Sequence, residues 1–163
     1  ALVEVSMFES ALDFQFEVLT CFLNDNNQLP VRSAVNNGHA YISAPYGIYK
    51  TSDGHLALAM GNILVMAGLL KCATLKIYAD SREWFTHRDE IKTILAAHLL
   101  TQSTRCWLAV LAPADIWCSN VMDYQQLMQE DGYSSLNMEQ VVKSSNGLNI
   151  LTTRGPILVD GHI

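Results

Sequence analysis

The sequence predicts a mixed α+β fold, on three observations. Residues 46–60 read as two short strands about an Asp53-Gly54 turn, the pattern of a tight hairpin. Apolar residues recur at helical spacing elsewhere, among them Ile91, Ile94, Leu95 and Leu99. A second hairpin signal, Ser144-Ser145-Asn146-Gly147, stands between two strand-like runs near the end of the chain.

The elements follow in order. Ser6 and Glu9 are at capping-box spacing, so a helix should start near Ser6. Met7, Phe8, Ala11, Leu12, Leu19, Phe22 and Leu23 give it a broad apolar surface, with Phe14 and Phe16 on the far side, so it should be buried on several sides. Asn24-Asp25-Asn26-Asn27 ends it, and residues 28–44 show no period and read as a linker or long loop. In the hairpin, Leu56, Leu58 and Met60 should share one face and Ala57 and Ala59 the other. Asn62 is placed to cap a short buried helix running to Cys72.

A polar and then aromatic stretch, residues 80–85, bridges to the next helix, which Thr86 can cap. A further helix should run from about Ser103 to Leu111, with Trp107, Leu108 and Leu111 on one side and Pro113 soon after its end. Residues 116–121 read as a strand. Asp123 then caps a helix with Leu127 and Met128 inward, closed by Asp131-Gly132. Residues 138–143 and 148–153 form the second hairpin, and residues 157–159 a final strand.

Composition bounds the function. The chain has 163 residues, room for one domain or for one small domain with pieces of another. Half its residues are hydrophobic, whereas only 16% are charged, against about 25% in an ordinary globular domain. That deficit implies surface covered by a partner or by further chain. The net charge is −6 with single, scattered cations, which argues against nucleic acid as a partner and offers little surface for a nucleotide phosphate. No apolar run is long enough to span a bilayer, so no membrane partner is expected. The opening, Ala1-Leu2-Val3-Glu4, has neither a methionine nor the pattern of a signal peptide, and reads as trimmed from a longer protein. Cys21, Cys72, Cys106 and Cys118 lack metal-like spacing and read as buried free thiols of a reducing, cytoplasmic setting.

Several segments, in this order, carry a resemblance. Residues 3–12, VEVSMFESAL, are followed by the hairpin PYGIYKTSDGHLALAMGN, then by His87-Arg88-Asp89-Glu90-Ile91 at a helix start. The Trp107-Leu108 helix comes next, and Arg154-Gly155-Pro156-Ile157 near the end. The series resembles the C-terminal portion of the class III CoA-transferases, the family of formyl-CoA transferase, carnitine CoA-transferase and alpha-methylacyl-CoA racemase. The resemblance implies a small domain of that fold, residues 44–121, preceded by a large-domain helix and linker, 1–43, and followed by a return segment, 122–163. It also implies transfer of CoA between an acyl-CoA and a carboxylic acid through an acyl–aspartyl intermediate. Coenzyme A then enters as a thioester substrate and no further cofactor is needed. Family members are interlocked dimers, which implies a homodimer or association with a missing N-terminal half.

The departures limit the activity. The family's nucleophilic aspartate matches no position, since Asp13 and Asp25 lie downstream of its expected place. No catalytic residue is therefore assigned. The racemase branch uses a glutamate after the second hairpin strand, where this chain has Asn62, Ile63 and Leu64. The family's glycine-rich loop before the hairpin retains a single glycine, Gly38, and its G-I-P-x-x-P-V segment reads here as Asp115 to Val121, DIWCSNV. The candidate acyl-CoA contacts are Gly38 and His39 in the loop and Tyr46 and Tyr49 in the first strand. His98 reads as a core histidine, Asp53 and His55 as surface residues beside a turn, and no histidine set has metal-ligand spacing. A second reading stands beside the first: a non-catalytic module derived from the family that self-associates or binds a ligand or partner.

Overall fold

The computed structural model describes residues 4–36 and 38–155. It is mixed α+β, as the sequence predicts, and divides into two compact units, Ala1–Val121 and Met122–Ile163.

The first unit begins with two short helices, α1 (Met7–Asp13) and α2 (Phe16–Asn24), where one was expected. The Ser6 hydroxyl accepts from the Glu9 N–H, but the chain turns at Phe14 and Gln15. Neither helix has a buried residue, so the expected burial does not occur among the described residues: Met7 is 91% exposed and Phe14 95%. The loop over the described part of 28–44 is irregular, as its lack of period implied.

The hairpin forms as read, with β1 (Gly47–Lys50) antiparallel to β2 (His55–Leu58) and Tyr49 opposite Leu56. β3 (Cys118–Asn120) adds to the free edge of β2 and completes a three-stranded sheet. Leu56 and Leu58 are buried, whereas Met60 lies past the strand end and is exposed, which corrects its expected place on the core face. The Asn62 carboxamide caps α3 (Ile63–Leu69), accepting from Leu64 N–H at 2.9 Å and Val65 N–H at 3.2 Å. α3 stops short of Cys72, because Lys71 adopts a left-handed backbone (φ 55°) and a 3₁₀ turn follows.

α4 (Arg88–Leu99) is preceded at its cap position by His87, not Thr86, and that cap has no side-chain hydrogen bond. α5 (Thr104–Leu111) is capped by the Ser103 hydroxyl, which accepts from Cys106 N–H at 3.2 Å. Ile91, Leu95 and Leu99 of α4 and Trp107 and Leu111 of α5 join Leu56, Ile63 and Met66 in one core under the sheet. His98 sits at the edge of this core with its Nε2 hydrogen-bonded to the Leu70 carbonyl (2.8 Å), as a satisfied core histidine should. The cysteine reading is corrected in part: all four are free thiols, but Cys72 alone is buried and Cys106 is exposed.

Asp115 occupies the position of the glycine that the resembling family carries, and it takes the left-handed conformation (φ 59°) glycine would favour. Aspartate is one of the few L-residues that visits this region readily. The α5 terminus is thereby closed, with Ile116 N–H reaching back to the Leu111 carbonyl (3.2 Å), and β3 starts in register.

In the second unit, Asp123 and Gln126 form a reciprocal capping box at the start of α6 (Tyr124–Leu127). Asp131 and Gly132 open a separate helix, α7 (Asp131–Ser135), rather than closing α6, and Leu127 and Met128 are exposed rather than inward. β4 (Glu139–Lys143) and β5 (Asn149–Thr153) pair in the expected hairpin, with Gly147 at φ 84° in its turn. The Arg154 guanidinium donates to the Leu136 and Asn137 carbonyls at 2.9 and 3.0 Å, fastening the end of the hairpin to the turn that starts it. The strand expected at 157–159 lies outside the described residues.

Candidate functional site

The pleat of the three-stranded sheet sorts its side chains into two faces. Tyr49, Leu56 and Leu58 point to the core. On the outer face, the register lines up Ile48, Ala57 and Ser119 as one row across the strands. One residue beyond the paired strands, Tyr46 and Ala59 continue the face, and the Ala59 N–H donates to the Trp117 carbonyl (2.9 Å), bringing Trp117 alongside. These rows floor an open groove of about 610 Å³. The groove exists because its centre is built from small residues, Ala57, Ala59 and Ser119, between larger ones.

Gly38 and Gly47 form the remaining wall, and both are required by close approach. A Cβ on Gly47 would lie 2.3 Å from the Asn36 carbonyl oxygen, and one on Gly38 would lie 2.8 Å from the Tyr46 ring. The loop carrying Gly38 is tied down at several points. Arg88 donates to the Val31 carbonyl (2.7 Å) and to that of Phe85 (2.8 Å), with its guanidinium over the Phe85 ring at 4.2 Å. Asp89 accepts from the Ser33 hydroxyl and from the Ala34 N–H (3.1 Å), contacts that hold its carboxyl below the usual carboxylate range. The Asn36 carboxamide donates to the Ile48 carbonyl. The sequence pattern at Arg88-Asp89 signalled only a helix start; its long-range anchoring of the loop was not legible there.

The candidate residues separate. Gly38 and Tyr46 line the groove together. His39 stands behind Tyr46, its ring edge-on at 6.2 Å, and its Nδ1 accepts from the Tyr41 N–H (3.2 Å). The neutral ring therefore carries its proton on Nε2, which is buried without a hydrogen-bond partner and 3.9 Å from the Glu17 carboxylate. Tyr49 is fully buried in the core and donates to the Pro45 carbonyl (2.6 Å), away from the groove. Burial pushes its phenol well above the ordinary tyrosine range. Trp117, which is not among the candidates read from the sequence, is 64% exposed on the groove rim. Among the described residues no carboxylate, histidine or cation lines this groove. Among the described residues no cluster of His, Cys, Asp and Glu could hold a metal ion. No helix of the described residues is long and apolar enough to cross a membrane.

The comparison with family models decides the affiliation: the model for CoA-transferase family III matches residues 1–162. The chain belongs to this family. No curated protein matches. Among solved structures, the chain is similar to Rv3272 from Mycobacterium tuberculosis in its orthorhombic form, with a TM-score of 0.66 at 15% identity over 96% of this chain and 41% of that one. A second structure of the same M. tuberculosis protein, described as hypothetical, gives a TM-score of 0.66 at 16% identity over 98% and 41%. A CAIB/BAIF family protein from Brucella suis gives 0.58 at 17% over 91% and 38%. At these identities the likeness shows the fold. The chain spans about two-fifths of the length of the solved relatives it matches.

Proposed function

We propose that this chain is the C-terminal portion of a class III CoA-transferase, whose parent reaction moves CoA between an acyl-CoA and a carboxylic acid. The observation that carries this reading is the family match over residues 1–162 in a chain that covers only 41% of its solved relative. Residues of this chain then shape the acyl-CoA entry. Tyr46, held by Gly38 and backed by His39, forms one wall, and the apolar sheet face excludes water from the bound acyl group.

Bond making falls to the rest of the parent. Among the described residues no carboxylate lines the groove, and in this reading chain upstream of the segment supplies the aspartate that attacks the thioester. The same observation supports the second reading, a non-catalytic module of the family, because the core of the first unit is assembled from residues 44–116 alone.

The test is to establish the whole encoded product, purify it, and follow transfer of labelled CoA from an acyl-CoA to a free carboxylic acid. Transfer that is lost when one upstream aspartate is replaced supports the transferase. A product with no such aspartate, or a full-length product with no transfer over a panel of donors, leaves the non-catalytic module.

A further inference from the structure

The outer face of the sheet does not end at the groove. Lys50 and His55 are direct partners in the β1–β2 register, two residues beyond the Ile48–Ala57 pair and therefore on the same face. Both are exposed. The Val121 N–H donates to the His55 carbonyl (3.0 Å) and brings that residue alongside, so the register is kept to the end of the face. Three successive rows thus run along the strands: aromatic (Tyr46 and Trp117), small and apolar (Ile48 and Ala57), and basic (Lys50 and His55). Four residues of strand separate the first from the last, about 13–14 Å.

From this polarity we infer that the face binds a medium-chain carboxylic acid, with its alkyl tail in the groove and its carboxylate between Lys50 and His55. Among the described residues the lining offers no ionised partner for a second carboxylate, so a dicarboxylic acid leaves one charge on an apolar floor. A neutral amphiphile leaves the basic row unused, and a cationic one is repelled by it. Asp53 is the acidic group nearest in sequence to this row, and its Oδ1 accepts from the Thr104 N–H, the Thr104 hydroxyl and the Thr51 hydroxyl. It is therefore held toward α5 rather than paired with Lys50. Trp117, on the rim at the far end, sets how long a tail fits.

The inference rests on the transferase reading and names the acceptor class for that site, but the two fail separately. The experiment titrates decanoate, below its micelle concentration, into the ¹⁵N-labelled 163-residue chain. Decanol, decyltrimethylammonium and succinate serve as comparisons. Decanoate is expected to shift the amides of Ile48, Ala57 and Ser119, the Trp117 indole and the Lys50–His55 row together. Lys50→Ala should weaken that binding at least about tenfold, the worth of one charge-assisted contact. Trp117→Ala should weaken decanoate more than hexanoate. Lys50 and His55 are exposed and outside the core, so an unchanged spectrum of each variant without ligand establishes that folding is kept.

Decanol binding as tightly as decanoate, or Lys50→Ala leaving the affinity unchanged, overturns the inference. So do shifts confined to α1 and α2. In the full-length protein, transfer to decanoate with a KM insensitive to Lys50→Ala overturns the inference while the transferase reading stands. Carboxylate binding that depends on Lys50, in a full-length protein that transfers no CoA, keeps the site and discards the reading.

Discussion

The carboxylate of Asp53, in the turn of the first hairpin, accepts a hydrogen bond from the backbone N–H of Thr104 at 2.8 Å, 51 positions along the chain. The hydroxyls of Thr51 and Thr104 lie 2.7 Å apart beside it, and the Gly54 N–H donates to that of Thr51 (3.0 Å). The turn that closes β1 on β2 is therefore also the brace for the first turn of α5. These contacts hold the Asp53 carboxyl below the ordinary aspartate value, with the Thr104 N–H the largest cause. A group with a depressed folded pKa adds stability that is fully present above its unfolded value and is lost as the pH falls through the folded one. Asp53→Asn should lower the urea midpoint at neutral pH and flatten its fall through the acid range. The midpoint measured at a series of pH values between about 3 and 7 checks this. Asp89 acts with the same sign, so some acid dependence should remain in the variant.

Lys92 poses the opposite case. It is fully buried in α4, and its Nζ has no hydrogen-bond partner among the described residues. Burial is the main cause that lowers its pKa, with Asp89 opposing. The unfolded chain then binds the proton more tightly than the folded one, so stability should rise as the pH climbs through the folded value toward the unfolded one. Lys92→Met keeps the unbranched shape and removes the desolvated charge. It should raise stability at neutral pH by about 1 kcal/mol or more and abolish the alkaline gain, both read from chemical denaturation. A destabilised variant would show that the ammonium is solvated in the folded protein.

Local signals were legible in the sequence where one residue acts on its near neighbours. Asn62 and Asp123 cap the helices they precede, the Asp-Gly and Asn-Gly turns form, and Ile91, Leu95 and Leu99 share a buried stripe. What was missed depends on residues far apart. A capping rule prefers Thr86 to His87, yet the turn before α4 runs on through His87, whose N–H donates to the Glu83 carbonyl (2.9 Å), and α4 starts at Arg88. The single long helix expected from Ser6 is broken at Phe14 and Gln15, and none of its apolar residues is buried. For the groove, Gly38 and Tyr46 were legible through the family pattern. Trp117 was not, since its place follows from β3 pairing with β2 rather than from its own surroundings in the chain. Tyr49 was read as an entry wall because strand alternation gives the two faces without saying which is the core.

Asp115 offers a test of backbone conformation alone. Its φ of 59° carries the left-handed cost that glycine avoids. That cost is about 1 kcal/mol for an L-residue. Its side chain is exposed and enters none of the hydrogen bonds that close the α5 terminus. Asp115→Gly should therefore raise stability by somewhat less than 1 kcal/mol, because glycine also gains freedom in the unfolded chain. Asp115→Val should lower stability by more than the glycine raises it, since a β-branched residue disfavours this region strongly. Equal midpoints for all three proteins would show that the turn relaxes away from positive φ.

The helices at the start of the first unit make the last prediction. Met7, Phe8, Phe14 and Phe16 are each at least 67% exposed, and neither α1 nor α2 contributes a buried residue. Clustered apolar exposure on this scale marks an association surface, and the solved relatives carry more than half their length beyond what this chain matches. We expect the isolated chain to self-associate through these helices, either as a homodimer or in place of the chain that covers them in the parent. Sedimentation should show species larger than a monomer, with binding of a hydrophobic dye, and Phe8→Ser with Phe16→Ser should reduce both. The hairpin, α4 and α5 should keep their amide shifts in that variant, because the core under the sheet draws nothing from α1 or α2. A strictly monomeric wild type that binds no dye would mean that these side chains fold back onto the protein in solution, and the association surface would have to be sought elsewhere.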